Sequence, residues 1–191
     1  MTKKLPAPFR NRFGMKKYGH EGIRDHMHVP ELARPDHLLR LDRIAHRAIV
    51  KRTIEGNISA IIIYHQLAEE LLKLLLSDCE SYVKLSVHPF EFSPLERKRL
   101  LFGELCQLLN NHLSFPHKAR ILRDAELLNR ARIEMVHQLA RRSSLTGIRR
   151  SAMRARKLYD HMYDLFDYAH DYFRMALGEH IENQEKEDDD C

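Results

Sequence analysis

The sequence predicts an all-α protein, an antiparallel bundle of about five helices flanked by a basic arm and an acidic tail. Three observations carry this. Apolar residues recur at helical spacing in several long runs, one of them apolar over most of its circumference. Only seven glycines and seven prolines punctuate the 191 residues, too little turn chemistry for a sheet protein. A chain of this length supports one domain with a real core and gives no reason to expect two.

The arm comes first. Residues 1–34 hold Pro6, Pro8 and Pro30, with Phe9, Phe13 and Tyr18 set among lysines and arginines that include Lys16 and Lys17. Aromatics among cations stack on bases, which makes Lys16 and Lys17 candidates for nucleic-acid contact; an arm laid across its own domain would have the same composition. His20, His26 and His28 lack the cysteine or carboxylate spacing typical of zinc, so no metal and no cofactor is expected. The domain proper is placed at 35–178. Its first helix starts after Pro35 with Asp36 as N-cap, shows Leu38, Leu41, Ala45 and Ala48 on one face, and should end at Gly56 and Asn57.

The second helix, SAIIIYHQLAEELLKLLLSDCE, reads as the central buried one. Its polar residues His65, Gln66, Glu69, Glu70 and Lys73 fall on one narrow stripe, which faces either water or a site across the bundle. Ser93 as N-cap, Pro94 at the first helical position and Glu96 as capping partner open the third helix. Pro116 opens the fourth, expected to reach about Arg142, and after a break at RRSSLTG a fifth runs from near Ile148 to Leu177. Tyr159, Tyr163, Phe166, Tyr172 and Phe173 on that last helix are more aromatic surface than a small bundle easily buries, which predicts a homodimer.

Charge narrows the partners. The net +5 conceals a tail, 179–191, with seven acidic residues against Lys186; that segment is −6, so the rest of the chain is +11. A body this basic suits a polyanion such as RNA, and an acidic tail, expected to be disordered, would screen it. Cys79, Cys106 and Cys191 form no CxxC pair, and no apolar run is long enough to span a membrane or serve as a secretory signal. A cytoplasmic protein without membrane contact is expected.

The stretch LLNRARIEMVHQLARR, from Leu127 to Arg142, concentrates the chemistry. At 100° per residue, with Arg132 at zero, Val136 lies near 40°, Ile133 near 100° and His137 near 140°, with Arg130 near 160° and almost in line with His137. A histidine moves a proton near neutrality, while an arginine fork holds phosphate oxygens and the charge that builds on them. Together they suffice for RNA cleavage by the neighbouring 2′-hydroxyl without a metal. Arg141 and Arg142 beyond them are further nucleic-acid candidates. Arg and His five apart on a helix are also common as plain surface residues.

The longer run FGELCQLLNNHLSFPHKARILRDAELLNRARIEMVHQL resembles the signature region of HEPN-domain proteins, through Phe102 and Gly103, Phe115 and Pro116, Leu128 and Asn129, and Val136 and His137. The helix AIIIYHQLAEELLKLLL is similar to that family's central helix. The resemblance covers roughly residues 36–175. It implies an antiparallel bundle that dimerises so that two Arg and His motifs face a shared cleft. Carried over by position, Arg132 and His137 take the motif, and Arg130 fits the longest spacing the family uses. Active members usually have Asn, Asp or His directly after the arginine, where this chain has Ile133.

Two readings follow. In the first the chain is a dimeric, metal-independent endoribonuclease of RNA processing or of a toxin or phage-defence system: His137 is general base or acid, Arg132 stabilises the phosphorane, and a 2′,3′-cyclic phosphate and a 5′-hydroxyl result. Glu69 or Glu70 then orients Arg132, or simply pairs with Lys73. In the second the motif is silent and the bundle is a regulator or adaptor, similar to the mannitol-operon repressor type, acting on a protein partner or nucleic acid; His137 is then a core or interface histidine. No Gly-rich phosphate loop or serine nucleophile elbow is present.

Overall fold

The computed structural model describes residues 36–88, 90–93, 100–138 and 145–189. Among them are five helices and no strand: α1 (Asp36–Val50), α2 (Ile54–Ser86), α3 (Phe102–Asn111), α4 (Lys118–Gln138) and α5 (Leu145–Asp189). The arm with Lys16 and Lys17, the Pro94 and Glu96 cap signals, and Arg141 and Arg142 lie outside the described residues.

α2 is the axis of the bundle. Leu67, Leu71, Leu72, Leu75 and Leu76 are fully buried, and the helix packs on all four others, most extensively on α5. Ring and ion contacts fix the directions. Tyr64 meets Tyr159, Asp78 meets His170 and Tyr82 meets Phe173, so α2 and α5 run the same way. Phe115 against Phe173, His117 against Tyr168 and Asp124 against His161 make α4 and α5 an antiparallel hairpin.

The junction of α1 and α2 corrects the expected helix end. Gly56 and Asn57 open α2 rather than close α1. Thr53 is the N-cap, its hydroxyl accepting from the Gly56 N–H at 3.0 Å, and Asn57 Nδ2 donates to the Thr53 carbonyl at 2.7 Å. A Cβ on Gly56 would lie 2.4 Å from the Ala48 carbonyl oxygen, so the glycine is a packing requirement. α1 instead ends at Val50, where the chain turns through Arg52 in the left-handed region at φ 57°.

Two further boundaries differ. The described start of α3 is Phe102, where Glu104 Oε2 accepts from the Leu101 N–H at 2.7 Å. Lys118 ties the other end of α3 to α4 by donating from Nζ to the carbonyls of Asn110, His112 and Leu113 at 2.8, 3.3 and 3.3 Å. α5 starts three residues before Ile148 and passes Leu177, continuing to Asp189 through the acidic segment expected to be disordered. Gly178 alone does not break the helix, and the glutamates after it are good helix formers.

The aromatic argument for a dimer is also corrected. Tyr159, Tyr163, Phe166 and Phe173 are all buried within the single chain, where α2 and α4 cover them; of the five residues only Tyr172, at 47%, is exposed. Parallel packing of α5 on α2 absorbs the surplus through the Tyr64–Tyr159, Tyr159–Tyr163 and Tyr163–Phe166 contacts.

Candidate functional site

The last two turns of α4 present the motif. Ala125, Leu128 and Met135 are buried, whereas Arg130, Arg132, Ile133, Val136 and His137 are exposed. His137 is thus not a packed core histidine. Ile133 and Val136 leave apolar surface open beside the motif side chains, at 40% and 53% exposure.

Arg132 follows Ala125 by seven residues and Leu128 by four, which places it on the side of α4 that faces α2. From there its charge acts on His65. Burial lowers the pKa of this imidazole, and the nearby guanidinium lowers it further, while the hydrogen bond to Asn129 and the charge of Glu69 work the other way without prevailing. His65 Nε2 donates to Asn129 Oδ1 at 3.1 Å, and its ring lies 4.4 Å from that of Phe102. A buried imidazole with a depressed pKa therefore lies within the electrostatic reach of the motif arginine, held by Phe102 of α3 on one side and Asn129 of α4 on the other.

Of the two roles the sequence leaves open for the glutamates, both take the pairing with Lys73 rather than an orienting contact to Arg132. Glu69 and Glu70 each hold Lys73, at 2.8 Å and 2.8 Å, as i+4 and i+3 partners on the same helix. Glu69 also acts on His65 through its charge, so Arg132 and Glu69 bracket the imidazole with opposite signs. The polar stripe of α2 thus has its His65 end turned into the bundle and its Lys73 end part-exposed.

Between α3 and α4 runs an open groove of 480 Å³, lined among others by Phe102, Gly103, Gln107, Arg123, Glu126 and Asn129. Asn129 and Phe102 belong to both groove and His65 cluster. Cys106 lines it too, but burial pushes its thiol up to about 11, and Cys79 up to about 12, so neither is a ready thiolate. Among the described residues no group of three or more histidine, cysteine or acidic side chains gathers as metal ligands would.

In the sequence His65 is one member of a polar stripe and Asn129 one residue of a longer run, and neither is marked as part of the site. The available signal was a histidine inside a helix apolar nearly all round, which must find a hydrogen-bond partner when buried. Two Asp–His pairs between helices were also missed. His170 Nδ1 donates to buried Asp78 at 2.8 Å, and His161 Nδ1 donates to buried Asp124. No family model, curated protein or solved structure matches the chain.

Proposed function

We propose that this chain is a HEPN-like, metal-independent endoribonuclease. One observation carries the reading: Arg132 and His137 are both exposed on the last turns of α4, and the charge of Arg132 acts on the buried imidazole of His65. In the reaction the 2′-oxygen attacks the adjacent phosphorus and the bond from phosphorus to the 5′-oxygen breaks. His137 takes the 2′-proton or protonates the departing 5′-oxygen, and Arg132 neutralises charge on the phosphorane oxygens. Arg130, about two turns before His137 and also exposed, is the second arginine within reach of the same phosphate.

A single imidazole serves as base or acid, so the reading uses two copies of the motif across a shared cleft. Exposed Ile133 and Val136 beside Arg132 support such an interface. They equally favour the second reading, a catalytically silent regulator or adaptor in which this apolar rim receives a protein partner. Incubating the purified protein with mixed RNA in EDTA, followed by end-group analysis, separates the two. Cyclic 2′,3′-phosphate and 5′-hydroxyl ends that vanish in His137→Ala support the nuclease; intact RNA with every preparation leaves the adaptor.

A further inference from the structure

α5 divides its charges sharply. From Leu145 to Tyr159 it carries Arg149, Arg150, Arg154, Arg156 and Lys157 and no acidic residue; Asp160, Asp164, Asp167 and Asp171 follow. Helix-dipole effects are confined to the first and last turns, so they do not account for this order in the interior of the helix. A surface tuned for helix stability or solubility would interleave the signs at i and i+4. The stability of the helix therefore does not explain the segregation.

Geometry gathers these cations with others. Ile148, Ala152, Ala155 and Tyr159 face the core, and Arg150, Arg154, Lys157 and His161, at i, i+4, i+7 and i+11, form an exposed stripe on the opposite side. On α4, Arg120, Arg123 and Arg130 form a similar exposed stripe at i, i+3 and i+10. The Asp124–His161 pair fixes the register of the antiparallel hairpin, bringing Arg123 level with His161 and Arg130 level with Arg154. Arg120, Arg130, Arg150, Arg154 and Lys157 have no acidic partner among the described residues, and Arg123 approaches only buried Asp124, at 3.7 Å. Glu126, three residues after Arg123 and four before Arg130, and Glu134, four after Arg130, are exposed on the same face of α4, so the uninterrupted cationic stripe is the one on α5.

We infer that the outer face of the α4–α5 hairpin is a track for the phosphate backbone of a nucleic-acid strand, leading along α4 to the end that bears Arg132 and His137. Arg120 to Arg130 spans about 15 Å at 1.5 Å per residue, room for several phosphates. Exposed cations on the two helices release counterions when phosphates replace them, without reading sequence. Beneath the track, His161 Nδ1 donates to buried Asp124, and the half-exposed ring marks where α4 and α5 meet on this face. The ligand class rests on the nuclease reading; the surface itself does not.

The test measures binding of labelled oligouridine by anisotropy across a salt series, in a His137→Ala background so that no cleavage intervenes. Replacing Arg150, Arg154 and Lys157 together by Gln should weaken binding by about tenfold and reduce the slope of log affinity against log salt by about 2, at roughly 0.7 for each phosphate no longer neutralised. Arg120→Gln with Arg123→Gln repeats the test from the other helix, and circular dichroism checks that each variant stays helical. Arg40→Gln, Arg43→Gln and Lys84→Gln, exposed elsewhere and equal in charge change, should bind like the parent. Equal losses in track and control variants, or none in either, overturn the track. So does polyglutamate binding as tightly and with the same slope, which would make the face a dock for acidic protein. Cleavage by the wild type with no effect of the track variants sinks the track alone; track-dependent binding with no cleavage sinks the nuclease alone.

Discussion

His65 on α2 donates its Nε2 proton to Asn129 Oδ1 on α4, 64 residues away in sequence and 3.1 Å away in space. This bond joins the central helix to the helix that carries the motif, three residues before Arg132. Asn129→Ala leaves a largely buried N–H without its acceptor and should cost about 1–3 kcal/mol. Urea denaturation followed by circular dichroism measures it. An unchanged midpoint would mean that water takes over the asparagine's role.

The same imidazole sets a pH dependence. Folding depresses the pKa of His65 below its ordinary value of 6.5, and that of His46 likewise, chiefly by burial and then by Arg156. The unfolded chain then binds protons that the folded chain refuses, so stability is full above about 6.5 and declines as pH falls from there towards the depressed folded values. His65→Gln keeps a donor for Asn129 and should flatten part of this decline. A thermal midpoint that rises on acidification through this window contradicts the assignment.

Ile133 separates the functional readings. It is exposed between Arg132 and His137 on the wheel, at the position where active members of the family the sequence resembles usually carry Asn, Asp or His. Ile133→Asn should raise RNA cleavage if the nuclease reading holds, and should weaken self-association if the apolar rim is an interface. Cleavage assays and sedimentation of the same preparation report both effects. A wild type inert on every RNA, with Ile133→Asn equally inert although folded and dimeric, removes the catalytic reading.

Glycines give a stability contrast. Gly56→Ala drives a methyl group into the Ala48 carbonyl, which neither helix can move aside, and should destabilise by about 1–3 kcal/mol. Gly103→Ala on α3 meets nothing within 4 Å and should stabilise by about 0.4–1 kcal/mol through the unfolded chain. Chemical denaturation of the two variants should move the midpoint in opposite directions.

His170→Leu removes the partner of Asp78, whose side chain is 3% exposed, and strands a buried carboxylate. The loss should be about 3–5 kcal/mol, and Asp78→Leu combined with it should recover much of that. A double variant no more stable than the single one would show that the pair is not the source of the loss.

The bundle was legible because its signals are local and repeated. Leu38 and Ala45 on α1, the leucines of α2 and Phe166 on α5 lie where helical periodicity puts them, each buried. Boundaries were less legible where one residue type serves opposite roles. Gly56 looks like a stop, yet its missing Cβ lets α1 and α2 touch, a fact that exists only once Ala48 is in place. The site shows the same division. Arg132 and His137 follow from spacing on one helix, but His65 joins them only through the α2–α4 packing, and Glu69 is drawn to Lys73 by a neighbour on its own helix. The aromatic residues of α5 misled for a related reason: their number suggested a surplus, while the partners that absorb them come from elsewhere in the chain.

The reversal of sign along α5 gives the protein a built-in electric moment. Arginines near the start of a 45-residue helix and aspartates further along add to the peptide dipole instead of cancelling it. Such a molecule turns in the field of an approaching polyanion before touching it, so that its arginine-bearing end arrives first. Orientation then precedes contact, and the encounter rate with nucleic acid should fall with added salt even where the final affinity is set by only a few side chains.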